Sequence, residues 1–285
     1  MTIVAGLRCA NGIVLCADTQ ETKNELSKIN VPKLRIEPWF KAGKDSPEEL
    51  MIAVAGAGDG PFIDKIIERA WEEVSVVSSF EEACSEMERS IKDIHEEYGH
   101  IFQPGYLPQV RMIYGIKMQG NSKLFTAFGP VVNEKSNFDS VGAGYYMADF
   151  LATRMHSNHL SISQAITLAA YILFQCKENV DGCGGDSHIV VLNEKGSSQI
   201  ISPLQVNITT QTLKEVDEVL SYLLLLPSAD AQFPEEEFSD VLQTAVNALI
   251  AYRRDAKKNL ERWEDAKKQL KLNSLLGTVS PKKSE

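Results

Sequence analysis

The sequence predicts an α+β fold in which two antiparallel sheets are sandwiched between helical layers in an αββα order, followed by a helical extension. Three observations predict it. The chain opens on two short β-rich runs, Ile3 to Leu7 and Ile13 to Leu15, separated by Asn11-Gly12, the dipeptide best suited to a tight hairpin turn. The apolar pattern then reads as strands, two helices, strands, two helices, strands. Beyond Pro203 the period is helical throughout.

Taken in order, the opening hairpin is unusual because chain termini fray unless something ties them down, so a terminus in a core strand points to the terminus as a working part. Lys28 to Ile36 reads as a strand entered through Pro32. Leu50 to Ala55 is a continuous apolar run, hence a strand buried on both faces, and it ends in Gly56-Ala57-Gly58-Asp59-Gly60. That segment is no phosphate loop, because it lacks the Gly-Lys-[Ser/Thr] ending and meets Pro61 where a helix begins. Phe62, Ile63, Ile66, Ile67, Ala70, Trp71 and Val74 share one face of this first helix, and Ser79-Phe80-Glu81-Glu82 opens a second as a capping box. A loop from Gln103 to Pro108 leads to Val110–Met118 and Lys123–Phe128, a hairpin turned at Gly120-Asn121. Phe138 to Val141 leads to Gly142-Ala143-Gly144, and helices follow from Met147 to Met155 and from Ser163 to Cys176. Val180 to Asp186 then precedes a strand, His188 to Leu192. The first domain is expected to span 1–205. The extension, 206–285, holds Leu213, Val216, Val219, Leu220, Leu223 and Leu224 at helical spacing, then Pro227, then a long charged helix from Phe238 to about Leu272.

Composition narrows the function. The 285 residues carry a net charge of −10, but ten Lys/Arg against five Asp/Glu in 251–285 give that tail +5 and leave −15 on residues 1–250. An acidic body offers no basic face to phosphates, so nucleic acid is not an expected partner. With no apolar run near 18 residues and no secretory pattern at the start, membrane is not expected either, and a cytoplasmic location is. The five cysteines include no Cys-x-x-Cys pair and read as reduced core thiols. His95 and His100 stand five apart where a zinc helix needs four, so no metal and no cofactor are expected.

Thr2, the two β runs and Ala17-Asp18-Thr19 together resemble the proteasome β-subunit family of N-terminal nucleophile hydrolases. The resemblance covers about residues 2–203 and implies the αββα fold. It implies that Thr2, made N-terminal by removal of Met1, is the nucleophile and that its own α-amine is the general base. An amine with a pKa of about 7.7–8.0 suits that task, since a hydroxyl is a weak nucleophile until a base takes its proton. Asp18 and Lys33 would give charge support, Lys28 being the weaker match, and Gly56 would present its N–H to the oxyanion. Asp181 corresponds less closely, one residue nearer to Gly184-Gly185 than the family aspartate, and Asp181-Gly182 alone is also an ordinary turn. Read singly, Thr2 is an ordinary second residue and Lys33 an ordinary strand lysine. Three positions depart from the family: Ala143 and Cys183 stand where it has serines, and Gln20 where active members carry arginine. The implied function is a threonine-type endopeptidase subunit of a ring-forming, self-compartmentalising protease. Its implied partners are copies of itself or homologous subunits, unfolded peptide substrates and an ATP-driven unfoldase. Two alternatives stay open, a structural subunit of the same fold without turnover and a small-molecule amidase.

Overall fold

Strands that are apolar on both faces set the architecture. The computed structural model describes residues 2–23, 27–40, 49–74, 77–99, 108–225 and 234–276. In chain order the elements are β1 (Ile3–Cys9), β2 (Gly12–Asp18), β3 (Gln20–Lys23), β4 (Ser27–Asn30), β5 (Leu34–Phe40), β6 (Glu49–Gly58), α1 (Gly60–Val74), α2 (Phe80–Gly99), β7 (Val110–Met118), β8 (Asn121–Phe128), β9 (Val131–Lys135), β10 (Phe138–Gly142), α3 (Tyr145–Met155), α4 (Ile162–Asn179), β11 (Ser187–Asn193), β12 (Gln199–Ile200), α5 (Pro203–Leu225) and α6 (Glu235–Leu276). Among the described residues this is a mixed α/β fold with six helices and antiparallel sheets. One sheet runs β10-β1-β2-β11-β12 and the other β5-β6-β7-β8-β9, while β3 and β4 form a separate ribbon. The chain divides into two compact units, Met1–Thr210 and Gln211–Glu285.

Strand alternation sorts the first unit's core. On β6, Leu50, Ile52 and Val54 pack against Ile63, Ile66 and Ile67 of α1 and Met87, Ile91 and Ile94 of α2. The intervening Met51, Ala53, Ala55 and Ala57 meet Val4, Ile13, Leu15, Val190 and Leu192 of the other sheet. Helices α3 and α4 pack on β1, β2, β10 and β11. Each sheet contributes a glycine where a residue of the other crosses closely. A Cβ on Gly6 would lie 2.6 Å from a Leu124 methyl, and one on Gly115 would lie 2.7 Å from a Leu15 methyl.

Several boundaries differ from the sequence reading, each for a local reason. The first hairpin turns on Ala10-Asn11, and Gly12 is already paired with Cys9; a Cβ there would strike the Leu192 carbonyl oxygen at 2.0 Å. The second turns on Gln119-Gly120, both at positive φ, one residue earlier than expected. Lys28 to Ile36 is two strands in different sheets, because Pro32 has no N–H for a ladder. Ser79 does accept from the Glu82 N–H at 3.1 Å, but the Glu82 carboxylate turns back to the N–H and hydroxyl of Ser78. Met1, His100, Pro227 and the expected loop from Gln103 up to residue 107 lie outside the described residues. No helix among the described residues is long and apolar enough to cross a membrane.

The close crossing of the sheets gives a direct test. Gly115→Ala should lower stability by about 1–3 kcal/mol, the usual cost of one extra methyl group in a full core. The denaturant midpoint measures it, and an unchanged midpoint would mean that Leu15 and Leu192 have room to retreat.

Candidate active site

A buried carboxylate cannot persist without donors, and Asp18, wholly buried at the end of β2, has four. Antiparallel pairing of β1 with β2 brings the end of β2 beside the start of β1. One oxygen, Oδ1, accepts from the Thr2 hydroxyl, from the Ile3 N–H at 3.1 Å and from Lys33 Nζ at 2.8 Å. The other, Oδ2, accepts from the Gly184 N–H at 2.9 Å. Lys33 Nζ also donates to Thr2 Oγ1 and to the Gln20 carbonyl. Thr2, Asp18 and Lys33 therefore form one hydrogen-bonded group, with Thr2 only 5% exposed.

The backbone of Thr2 is fixed by the end of β10 and the turn that follows it. Gly142 pairs with Ile3 at φ +99°, and a Cβ on it would lie 2.2 Å from the Thr2 carbonyl oxygen. Only glycine combines that conformation with that approach. The same carbonyl accepts from the Gly144 N–H at 3.2 Å. Around Gly144 lie two thiols, with Cys183 Sγ at 3.1 Å and Cys176 Sγ at 3.2 Å from where its Cβ would be. Burial pushes the Cys183 thiol up to about 11 and that of Cys16 up to about 12, and it raises Cys176 as well, with Asp18 adding to each.

Thr2 and Lys33 open onto a pocket of about 650 Å³ whose walls also include Gly56, Ala143 and Tyr145. Pairing of β5 with β6 ends at Leu34–Ala55, so Gly56, Ala57 and Gly58 continue against β7 alone. The structure thus brings Thr2, Asp18, Lys33 and Gly56 together. Asp181 is not among them: it is exposed beyond the end of α4, because the turn at 180–183 delivers the Gly184 N–H, not a carboxylate, to Asp18. Lys28 is exposed on β4.

Sequence reasoning missed Lys177. Its ammonium donates to Ser187 Oγ at 3.0 Å, and burial pulls it below the ordinary lysine range against the raising influence of Asp18, Asp186 and Glu178. One helical lysine among many carries no signal until α4 is laid behind β2. His95 is engaged by its own helix through the Ile91 carbonyl at 2.8 Å. Among the described residues no group of three His, Cys, Asp or Glu could hold a metal ion.

No family model and no curated protein matches the sequence. Among solved structures, the chain is similar to Anbu, an ancestral β-subunit, from Yersinia bercovieri (TM-score 0.66, 14% identity, 80% of this chain and 98% of that one). It is also similar to Anbu from Hyphomicrobium sp. strain MC1 (0.61, 15%, 80% and 99%) and to the Anbu complex of Pseudomonas aeruginosa, solved as a helical assembly (0.63, 13%, 81% and 100%). At these identities the likeness is one of fold. It corrects the family expected from sequence: the neighbours are Anbu proteins, a distinct proteasome-related family, and not proteasome β-subunits.

Two measurements probe the site directly. Lys33→Met leaves Asp18 buried without its counter-ion and should destabilise the protein by about 3–5 kcal/mol, while Asp18→Asn in the same chain should recover much of that loss. Comparison of denaturant midpoints for the single and double variants reads the coupling. Under native conditions near neutral pH, Cys16, Cys176 and Cys183 should resist iodoacetamide because burial keeps them as thiols. Half-buried Cys84 should be alkylated first, as peptide mass mapping would show.

Proposed function

We propose that the chain is a threonine-type peptidase, an N-terminal nucleophile hydrolase whose mature N-terminus is Thr2. The observation that carries this reading is the contact of one hydroxyl with both a buried carboxylate and a lysine at the wall of a pocket. Removal of Met1 frees the Thr2 α-amine to accept the hydroxyl proton as Oγ1 attacks a peptide carbonyl. The developing oxyanion takes its hydrogen bond from the Gly56 N–H. The proton then passes to the departing amine as the C–N bond breaks and an ester to Thr2 remains; water gives a proton to the same α-amine and attacks that ester, and the proton returns to Oγ1 as the acid leaves. Lys33 favours the neutral, proton-accepting form of the α-amine by its charge, and Asp18 holds Lys33 in place. All of these residues lie in 1–205, which we assign to the hydrolase domain with an αββα layer order, with 206–285 as a helical extension.

Ala143 favours one competing reading, a chain that keeps this scaffold without turnover. It lines the pocket beside Thr2 and offers no hydroxyl to the amine. Three experiments separate the two. Intact mass of the native protein should show Met1 absent and Thr2 unmodified. Thr2→Ala should reduce peptide cleavage at least about a thousand-fold with the fold retained. Ala143→Ser should raise kcat if the missing hydroxyl limits proton transfer. Retention of Met1, or a free Thr2 that reacts with neither peptide nor a hydroxyl-directed electrophile, would leave the scaffold reading standing.

Self-association supports the same function by enclosing the site. Helix α3 exposes Tyr145, Tyr146, Phe150 and Met155, and α6 exposes Leu242, Val246, Leu249 and Ile250, apolar faces of the kind that mark interfaces. The acidic body and basic tail offer opposite charges to neighbouring copies. Sedimentation at low salt should show a particle well above the 31.6 kDa monomer. A clean monomer over a wide concentration range would remove the enclosed chamber and bring forward the small-molecule amidase.

A further inference from the structure

We propose that the pocket beside Thr2 selects a peptide with a cationic side chain, arginine or lysine, next to the bond to be cleaved, and that Glu21 and Asp59 set this preference. The inference rests on the reading of Thr2 as the nucleophile. Six charged residues line the pocket, and their partners divide them. Lys33 is engaged by Asp18, Arg35 by Asp64, and Arg111 lies over the Phe128 ring, 4.7 Å from its centroid. Each cation therefore has a counterpart. Glu21 and Asp59 have none among the described residues.

Their placement makes the two carboxylates act on one ligand. Glu21 follows Gln20, whose carbonyl accepts from Lys33, and Asp59 lies three residues beyond Gly56. Both residues line the same pocket as Thr2 and Gly56. Their segments meet at the pocket wall: the Glu21 carboxylate oxygens are 3.8 and 4.0 Å from where a Cβ on Gly60, the residue after Asp59, would sit. Asp59 precedes α1 and uses its backbone, accepting from the Ile63 N–H at 3.0 Å and donating to the Gln109 carbonyl at 3.2 Å, so its side chain is not consumed in capping the helix. Two unpaired carboxylates in one pocket favour a guanidinium or ammonium that enters it, by charge and by charge-assisted hydrogen bonds. An acidic side chain meets only repulsion there. A leucine would remove water from both carboxylates without replacing its hydrogen bonds.

Binding to full-length Thr2→Ala protein tests the preference without requiring turnover. Fluorescent peptides that differ only at the residue before the target bond, as arginine, lysine, leucine or glutamate, are titrated by anisotropy. The cationic peptides should bind about tenfold more tightly than the leucine peptide, with the margin shrinking as salt rises. Glu21→Gln with Asp59→Asn should cost the arginine peptide most and the leucine peptide least, and Glu21→Lys should move the preference toward glutamate. Leucine or glutamate binding as tightly as arginine, a preference that survives the double substitution, or no peptide bound at all would overturn the proposal. Wild-type turnover is read separately. Cationic peptides bound but never cleaved would overturn the peptidase reading and leave the pocket assignment intact, whereas cleavage favouring leucine would do the reverse.

Discussion

A carboxylate with no access to water governs this molecule. Asp18 would cost several kcal/mol to bury alone, and the fold supplies four donors, three to Oδ1 from Thr2, Ile3 and Lys33 and one to Oδ2 from Gly184. Each donor explains a piece of architecture. The opening hairpin exists in the register that sets Thr2 and Ile3 against the end of β2. The chain leaves the β3–β4 ribbon just where Lys33 can reach back. The glycine-rich turn after α4 approaches closely enough for a backbone N–H to replace a side chain. If the carboxylate is the fixed point, the charged and polar groups around Thr2 are consequences of keeping it satisfied, and any chemistry at Thr2 uses an arrangement that stability already requires.

The second constraint is proximity. Gly6 and Gly115 allow the sheets to cross with leucines of the opposite sheet filling the space of their missing side chains. Gly142 does the same for the Thr2 backbone. Segments beside a terminus are usually poorly ordered, yet here β1 is paired on both sides, with β2 and with β10, and the Thr2 carbonyl is hydrogen bonded. Such pre-positioning matters for a nucleophile, because reacting groups held in place avoid the entropy of bringing them together.

How legible this was in the sequence depended on how local each cause was. The strand β6 was readable because both faces are buried, so a run of apolar residues suffices. The hairpins were readable in existence but shifted by one residue, since Asn-Gly favours a turn while contacts from β11 decide where Gly12 must fall. The capping box of α4, with Ser161 and Gln164 bonded reciprocally, was available in the sequence and was overlooked. Thr2, Asp18, Lys33 and Gly56 were legible through a resemblance in motif, not through spacing. Asp181 was not, because a one-residue shift in a turn exchanges a side chain for a backbone N–H. The pocket wall was invisible for another reason: Glu21, Arg35, Asp59 and Arg111 come from separate elements, and only the tertiary fold shows which of their charges are already paired.

The thiols around Gly144 bear on reactivity in a different way. A thiol is intrinsically a better nucleophile than a hydroxyl, and two sulfurs crowd the residue that anchors the Thr2 backbone. Side by side, they ought to outcompete it for any electrophile that enters. Burial reverses the ranking by withholding the thiolate on which sulfur chemistry depends. The protein can therefore carry cysteine where a small, polarizable filler packs well, and do so without placing a thiolate beside Thr2. Sulfur here serves as volume, and the same desolvation shields it from oxidants that would otherwise swell the packing against which Thr2 is set.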